Sequence, residues 1–341
     1  MDARTDDREA AAAALDLARE AGIHCLPIQT PFGIGDVNCY LIEDDPLTLV
    51  DCGPNTATSL LDLDRQLTAI GHGVQDIELL VVTHQHADHM GLAHVFAQRT
   101  NAEISCLDIY APKLADWETH SAENDDDALL LMQRHGVEDH VADALRAVGD
   151  ILHGYGASSR VDRPLAPGAT IALAGRELVV HHRPGHSPSD IVLHDAERRI
   201  LVAGDHLLAG ISSNAVISRP LTPGWDGSRP HTLIEYRASL RATAEMDVDL
   251  VLGGHRDPVT DHRALVATRL AEHDRRAERF YDHLSAGPMT AHEIATATWG
   301  PVAITQVFLT LSEVLGHLDL LVADGRVRED RSEHVIRFER A

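Results

Sequence analysis

The residues best suited to chemistry form one compact cluster of imidazoles and carboxylates. The segment Thr-His-Gln-His-Ala-Asp-His places His84, His86, Asp88 and His89 directly after an apolar stretch. In an extended loop, alternation puts the side chains of His84 and His86 on the same side. Asp88 and His89 open the following helix and project in another direction, so one short segment can serve two metal ions. Imidazole and carboxylate without a cysteine in the cluster favour zinc or another borderline divalent metal.

Three further candidate ligands follow predicted strands elsewhere in the chain. His186 lies in Arg-Pro-Gly-His-Ser-Pro, Asp205 in Ala-Gly-Asp-His and His255 in Gly-Gly-His-Arg. Each follows a strand within a glycine-containing turn, and the carboxyl ends of strands can gather at one edge of a layered sheet. We therefore expect all of these residues to meet at one site. His206, beside Asp205, is a candidate catalytic residue that could hydrogen-bond a substrate or support a ligand.

Apolar periodicity indicates the elements that must position these residues. Strands are predicted at residues 24–30, 37–43, 47–51, 77–83, 102–108, 169–173, 177–182, 190–194, 199–203 and 248–252. Helices are predicted at residues 57–70, 90–99, 126–134, 139–152, 230–244 and 261–285. The helical segment at about 110–160 interrupts the strands and is long enough to cover the candidate site, as functional loops often do.

The last part of the chain has a different pattern. Helices are predicted at residues 290–298 and 304–323, followed by two short strands at 326–329 and 334–338 around a turn at Asp324-Gly325. Two helices and a β-hairpin are the outline of a winged-helix module. The segment 304–323 contains no Arg or Lys, which disfavours DNA readout and favours packing, leaving a homodimer open.

Composition restricts the class of partner and the compartment. The 341 residues predict one large domain with a small appendage, and the net charge is −24, with Lys113 as the single lysine. Such a charge repels polyanions, so a nucleic-acid partner is not expected. No stretch approaches the ~20 apolar residues of a membrane span, and the acidic N-terminus lacks the features of a secretory signal. Four isolated cysteines indicate reduced, mostly buried thiols, so we expect a cytoplasmic protein that contacts no membrane.

The motifs THQHADH, PGHS, AGDH and GGH, in that order, closely resemble those of the metallo-β-lactamase superfamily. The resemblance covers about residues 24–260 and implies an α/β fold, a four-layer αββα sandwich with two metals at one edge of its sheets. It also implies three ligands for each metal and one bridging carboxylate. These are His84, His86 and His186 for the first metal, Asp88, His89 and His255 for the second, and Asp205 as the bridge. Asp51, in Leu-Val-Asp-Cys-Gly, matches an aspartate that orients the site in this family.

The tail resembles a small winged-helix domain that is appended to one branch of these hydrolases. The segments carrying this resemblance are Gly-Pro-Met-Thr-Ala-His-Glu-Ile and Glu-Val-Leu-Gly-His-Leu-Asp-Leu-Leu-Val-Ala-Asp-Gly-Arg-Val. We therefore predict a hydrolase domain at residues 1–285, with a helical lid insertion at about 110–160, and a winged-helix-like domain at 286–341.

The resemblance implies metal-assisted hydrolysis, in which two divalent ions, most simply Zn²⁺, with Mn²⁺ or Fe²⁺ as alternatives, activate a bridging hydroxide. Asp88 would bind one metal and orient this hydroxide. A covered, acidic site favours a small ester, thioester or lactone as substrate. A phosphodiesterase or endoribonuclease is the alternative, because the branch contains one. A mononuclear iron sulfur dioxygenase is a third possibility that spacing alone leaves open.

Overall fold

Two mixed β-sheets form the centre of the protein in the computed structural model, which describes residues 3–341, with residues 3–8 and 150 described as backbone only. The first sheet contains β1 (Ile23–Ile28), β2 (Val37–Ile42), β3 (Thr48–Val50), β4 (Leu79–Val81), β5 (Glu103–Leu107) and β6 (Arg163–Leu165), side by side in that order. The second contains β7 (Thr170–Ala172), β8 (Glu177–His182), β9 (Ile191–Asp195), β10 (Ile200–Gly204) and β11 (Leu250–Gly253), also in chain order. In each sheet, antiparallel pairs adjoin parallel ones.

Helices cover the outer faces of both sheets and build two further segments. They are α1 (Ala3–Glu20), α2 (Ala57–Ala69), α3 (Ala87–Met90), α4 (Ala93–Arg99), α5 (Ala111–Ala115), α6 (Trp117–Arg134), α7 (Asp139–Leu152), α8 (Thr232–Ala244), α9 (His262–His283), α10 (Ala291–Trp299), α11 (Val302–Thr305) and α12 (Val307–Ala323). Short 3₁₀ turns lie at Val74–Asp76, His153–Tyr155 and Leu284–Ala286, and the hairpin β12 (Val327–Asp330) and β13 (Arg337–Arg340) ends the chain.

Strand alternation explains why the sheets stack. In β9, Ile191 and Leu193 join the core between the sheets, whereas Val192 faces outward and packs with α8. In β10, Val202 faces inward and Leu201 outward by the same period of two. Both faces of these strands are therefore apolar and buried, and the result is the αββα layering that the family resemblance implied.

The helical insertion and the C-terminal segment share one hydrophobic core. Met132 from α6 and Ala142 from α7 belong to the same buried cluster as Phe280 from α9, Leu315 from α12 and Phe338 from β13. The predicted order of helices and hairpin is present after α9, with α11 as an additional short helix. Because the helical insertion and the C-terminal segment pack on each other, both can lie at the edge of the sandwich where the predicted ligands follow the strands. The winged-helix assignment and the domain boundary at 285 remain predictions.

Several elements differ from the sequence-based expectation. Helix α6 begins at Trp117, well before the start predicted from the sequence. The prediction missed the acidic first half of this helix because that half has little apolar periodicity and is stabilised by packing instead. The short strand β6 was not predicted, since three residues that include Pro164 become a strand only by pairing with β5. Helix α1 was likewise not predicted as an element. Among the described residues, no helix combines the length and the apolar character needed to cross a bilayer.

Candidate metal centre

Three histidines from two loops point their ring nitrogens at one another. His86 Nδ1 lies 3.1 Å from His84 Nε2 and 2.8 Å from His186 Nε2. His84 and His86 lie in the turn after β4, and His186 lies in the turn after β8, so the two sheets contribute to the same point. Three imidazole nitrogens at such short mutual distances make a ready set of ligands for one divalent ion.

A second group of donors lies immediately beside the first. Asp88, His89 and His255 bring one potential ligand atom each to within 4.8 Å of one another. Asp88 Oδ2 is 3.3 Å from His255 Nε2 and 4.0 Å from His89 Nε2. Asp88 and His89 are on α3, which begins only three residues after His84, as the sequence predicted, whereas His255 follows β11 in the second sheet.

Asp205 lies between the two groups. Its Oδ1 atom is 3.4 Å from His89 Nε2, and its Oδ2 atom is 3.5 Å from His186 Nε2 and 3.6 Å from His255 Nε2. One carboxylate therefore lies within 3.6 Å of ring nitrogens from both groups. This is the geometry that a bridging ligand requires.

Asp51 orients two of the histidines through a buried hydrogen-bond network. Its Oδ2 atom is 2.7 Å from His89 Nδ1 and accepts a bond from Thr83 Oγ1 at 2.8 Å, while its Oδ1 atom accepts the Thr83 backbone N–H at 2.8 Å. Thr83 Oγ1 is in turn 3.0 Å from His84 Nδ1. Because these contacts occupy the Nδ1 atoms, the Nε2 atoms of both rings are left to face the centre of the site.

Backbone carbonyls orient the two remaining Nε2 donors in the same way. His186 Nδ1 is 3.0 Å from the carbonyl of Asn214, and His255 Nδ1 is 2.7 Å from the carbonyl of Asp36. Asn214 also donates its side-chain amide to the carbonyl of Leu309 at the start of α12. The C-terminal segment is thus linked to a candidate metal ligand through one residue.

The unpaired atoms of the cluster fit metal ions. His89 Nε2, His255 Nε2 and Asp205 Oδ1 are buried, and none of them has a hydrogen-bond partner among the residues that the structure describes. Buried polar atoms are normally satisfied, so their convergence calls for cations. Gly254 makes room for this arrangement, since a Cβ there would lie 2.5 Å from Asp205 Oδ1. The donor set, neutral imidazoles with carboxylates, suits zinc and similar ions.

Electrostatics divides the histidines into two classes. Burial lowers the pKa of His86 to about 3, and burial with neighbouring imidazoles holds the pKa of His84 well below its usual value. These rings therefore present free lone pairs at neutral pH. Burial would also lower the pKa of His89, but the charges of Asp205, Asp51 and Asp88 outweigh it and raise that pKa. The part of the site around His89 thus attracts positive charge.

Comparison with known proteins agrees with the geometry. A family model described as the metallo-beta-lactamase superfamily matches residues 32–255. The chain belongs to this superfamily. It is 33% identical over 307 residues to the probable metallo-hydrolase YqjP of Bacillus subtilis (strain 168), covering 88% of this chain and 92% of that protein. The protein is accordingly a hydrolase of the metallo-β-lactamase fold.

Two solved structures match nearly the whole chain. One is a metallo-beta-lactamase family protein from Thermus thermophilus, with 25% identity, a TM-score of 0.77, and coverage of 94% of this chain and 99% of that chain. The other is a beta-lactamase domain protein from Burkholderia ambifaria, with 26% identity, the same TM-score and coverage of 94% and 92%. A short match, 47% identical over 51 residues, is to the acyl-coenzyme A thioesterase MBLAC2 of Gallus gallus and covers 18% of that protein.

The metallo-β-lactamase fold brings all seven predicted ligands together, but it places the ring of His206 elsewhere. That ring is fully buried, its Nε2 atom lies 2.8 Å from Thr243 Oγ1 of α8, and it packs edge-on against Tyr236. Burial lowers the pKa of His206 to about 3. Since the ring is engaged with α8, the catalytic role predicted for His206 gains no support from the structure.

A cavity of about 680 Å³ adjoins the cluster at His86 and was only partly anticipated. His86 and Gln85 lie at its inner end, and helices α6, α7 and α12 supply much of its wall. Its lining also contains the buried residues Ser121 and His120, and Ser121 Oγ and His120 Nδ1 have no hydrogen-bond partner in the described residues. Neither residue was singled out from the sequence, because nothing in its local pattern distinguishes it from other polar residues on a helix.

Proposed function

We propose that this metallohydrolase cleaves a small ester, thioester or lactone, using two divalent ions, most simply zinc, at the candidate metal centre. One observation supports this more than any other: seven ligand-type side chains from four loops converge on one site, and one of them, His86, lines a cavity of substrate size. The ligands we propose are His84, His86, Asp88, His89, His186, Asp205 and His255.

The proposed ions would supply Lewis-acid chemistry, lowering the pKa of water and polarising the substrate's carbonyl oxygen. The chain's own residues determine the rest. Asp51 and the carbonyls of Asn214 and Asp36 fix the direction of the imidazole donors. Asp88 has the least buried side chain of the clustered carboxylates, 13% exposed against 5% for Asp205, so it is the one best placed to accept and release a proton.

Positioning of the substrate falls to residues at the inner end of the cavity. Gln85 Oε1, Ser121 Oγ and His120 Nδ1 are buried and lack hydrogen-bond partners within the described part of the chain. Gln85 Oε1 can therefore accept a hydrogen bond from the polar part of a substrate whose scissile bond lies beside His86, and Ser121 Oγ and His120 Nδ1 can donate or accept one. Trp117 also lines this region and would help to exclude water.

An acyl substrate is also supported by the short match to proteins named acyl-coenzyme A thioesterase. That match covers only 15% of this chain, so it supports the class of reaction and not a particular acyl group. The alternative of a phosphodiester substrate is less compatible with a net charge of −24.

The test is an assay of the purified protein, stripped of metal and reconstituted with Zn²⁺, Mn²⁺ or Fe²⁺, against matched panels of thioesters, lactones and phosphodiesters. We expect turnover of at least one acyl panel and none of the phosphodiester panel. Turnover confined to phosphodiesters would move the assignment to the alternative function.

Two controls make this result specific. Substituting alanine for Asp88 should remove turnover of every acyl substrate. Elemental analysis should find about two ions per chain, and a single iron with oxygen uptake on a persulfide would instead identify a sulfur dioxygenase.

A further inference from the structure

The outer part of the cavity is lined by large apolar side chains that remain partly exposed. In α7, Val148 is 49% exposed and Leu152 43%, and at the start of α12 Leu309 is 41% exposed. Leu130 of α6 adds to the same lining and is half exposed. Partly exposed apolar residues that cluster around one cavity mark a binding surface, because folding alone would favour burying them.

The charged residues around this lining do not make it polar, because most of them are paired with one another. Arg146 forms a salt bridge with Asp126, and Arg219 forms one with Asp127. Arg229 donates two hydrogen bonds to the buried Asp319. The apolar lining therefore lies between charged side chains whose charges are already paired.

The apolar lining extends away from the candidate metal centre along α6. Trp117, at the first turn of α6, donates to the carbonyl of His153, in the 3₁₀ turn that packs on α3. At the other end, the carbonyl of Arg134 accepts from Ile336 near the C-terminal hairpin. From Ser121 to Arg134, α6 rises about 20 Å at 1.5 Å per residue. The lining is thus an elongated groove that reaches the candidate metal centre at His86.

We propose that this groove binds an extended, unbranched acyl chain of the substrate, so that the enzyme prefers long-chain acyl thioesters or esters over short ones. The proposal rests on the proposed function and adds the class of acyl group. Continuity supports it: the groove shares its inner end with His86, and Leu309 of its wall is hydrogen-bonded to Asn214, whose carbonyl orients His186. An acyl carbonyl at the metals would place its alkyl chain along α6.

The proposal also gives the C-terminal segment a role. Residues of α12 and its preceding turn, from Thr305 to Leu309, form one wall of the groove, and α6 and α7 form the other walls. We therefore expect the segment to determine acyl-chain specificity.

The first experiment measures kcat/KM of the zinc-loaded enzyme for acetyl, butyryl, octanoyl and dodecanoyl thioesters of one thiol. Burying a methylene contributes about 0.8 kcal/mol, so a groove of this kind should raise kcat/KM by about two- to four-fold per methylene, mainly through KM. Val148→Asp should lower kcat/KM for the dodecanoyl thioester by about ten-fold or more, because the new carboxylate would have to be desolvated against the acyl chain.

Ile151→Asp is the matched control. Ile151 lies on the same helix and is 72% exposed, but it does not line the groove, so its variant should show the wild-type dependence on chain length. A kcat/KM that is independent of chain length, or equal behaviour of the two variants, would overturn the proposal while leaving the proposed function intact.

The second experiment separates binding from turnover. A long-chain thioether, which cannot be hydrolysed, is titrated into the metal-loaded enzyme while the fluorescence of Trp117 and Trp225, both in the cavity wall, is followed. We expect saturable binding to the wild type and to Ile151→Asp, and weaker binding to Val148→Asp. Binding of the thioether without hydrolysis of any acyl compound would support the groove and contradict the proposed function; absence of binding would contradict the groove.

Discussion

Asp51→Asn should weaken metal binding without changing a single proposed ligand. Asp51 has a left-handed backbone with φ of 60°, which asparagine tolerates better than other non-glycine residues, so the substitution tests the carboxylate and not the backbone. The side chain is almost fully buried and accepts hydrogen bonds from Thr83 while facing His89 Nδ1 at 2.7 Å.

An amide cannot reproduce these contacts in either orientation. If its oxygen accepts the Thr83 backbone N–H, its NH₂ group faces His89 Nδ1, which must then accept, and the ring proton moves to the Nε2 atom that should bind the metal. If the amide is reversed, its NH₂ group opposes the Thr83 N–H, leaving that buried donor without an acceptor. Each arrangement costs about 1–3 kcal/mol.

A cost of this size corresponds to a fall of about 10- to 100-fold in metal affinity, the usual effect of losing a partner that orients a ligand. Competition with a chromophoric chelator would measure the affinity, and thermal unfolding of the metal-free protein would measure stability. Asp195→Asn is the control, because Asp195 is an equally buried carboxylate bonded to Arg198 outside the cluster. If Asp51→Asn bound zinc within about two-fold of the wild type, our account of the network would be wrong.

Three further predictions concern the chemistry, the stability and the partners. Asp88→Ala should lower kcat by at least about a hundred-fold while circular dichroism shows an intact fold; retained activity with bound metal would exclude the proposed proton-transfer role. Burial would raise the pKa of Asp319, but hydrogen bonds from His231 and Arg229 hold it below its ordinary value, so the stability from this group is present at neutral pH and is lost as the pH falls through the folded-state pKa. Asp319→Asn should therefore lower the unfolding free energy by about 3–5 kcal/mol at pH 7, and the gap in Tm from the wild type should narrow below about pH 4. Gel-shift assays at micromolar protein and physiological salt should show no binding to RNA or DNA, and a salt-sensitive shift would contradict the expectation drawn from net charge.

The edge of the fold that carries the candidate site could be predicted from the sequence because two local signals coincided there. Strand periodicity located the ends of β4, β8, β10 and β11, and a ligand-type residue follows each end within a turn. Strand ends at one edge of a sandwich meet whatever the details of packing, so the identity of the ligands could be predicted before their geometry was known. His206 was selected by proximity to Asp205 alone, and proximity in sequence does not determine which way a ring turns.

The contacts that orient the proposed ligands could be predicted from the sequence only in part. Asp51 could be identified because Leu-Val-Asp-Cys-Gly resembles a motif of the superfamily. The carbonyls of Asn214 and Asp36 could not be identified, since every residue has a carbonyl and only the fold decides which one lies beside a histidine. The first half of α6 shows no apolar periodicity, so the sequence did not predict it as a helix. Ser121 and His120, which line the cavity, were missed for the same reason.

The amino-acid sequence by itself determined the chemistry that is available, namely the donor types and their placement after strands. The layered fold was implied by the resemblance of the motifs to those of the superfamily. Only the tertiary structure decided which surface completes the site. The groove is built from α6 and α7, which are neighbours in the chain, and from α12, which lies far from both in the sequence. The three helices meet through a shared core around Phe280 and Leu315. Long-range packing of this kind depends on the shapes of surfaces that local periodicity does not encode, and for that reason the acyl-chain groove could be inferred only once the helices were in place.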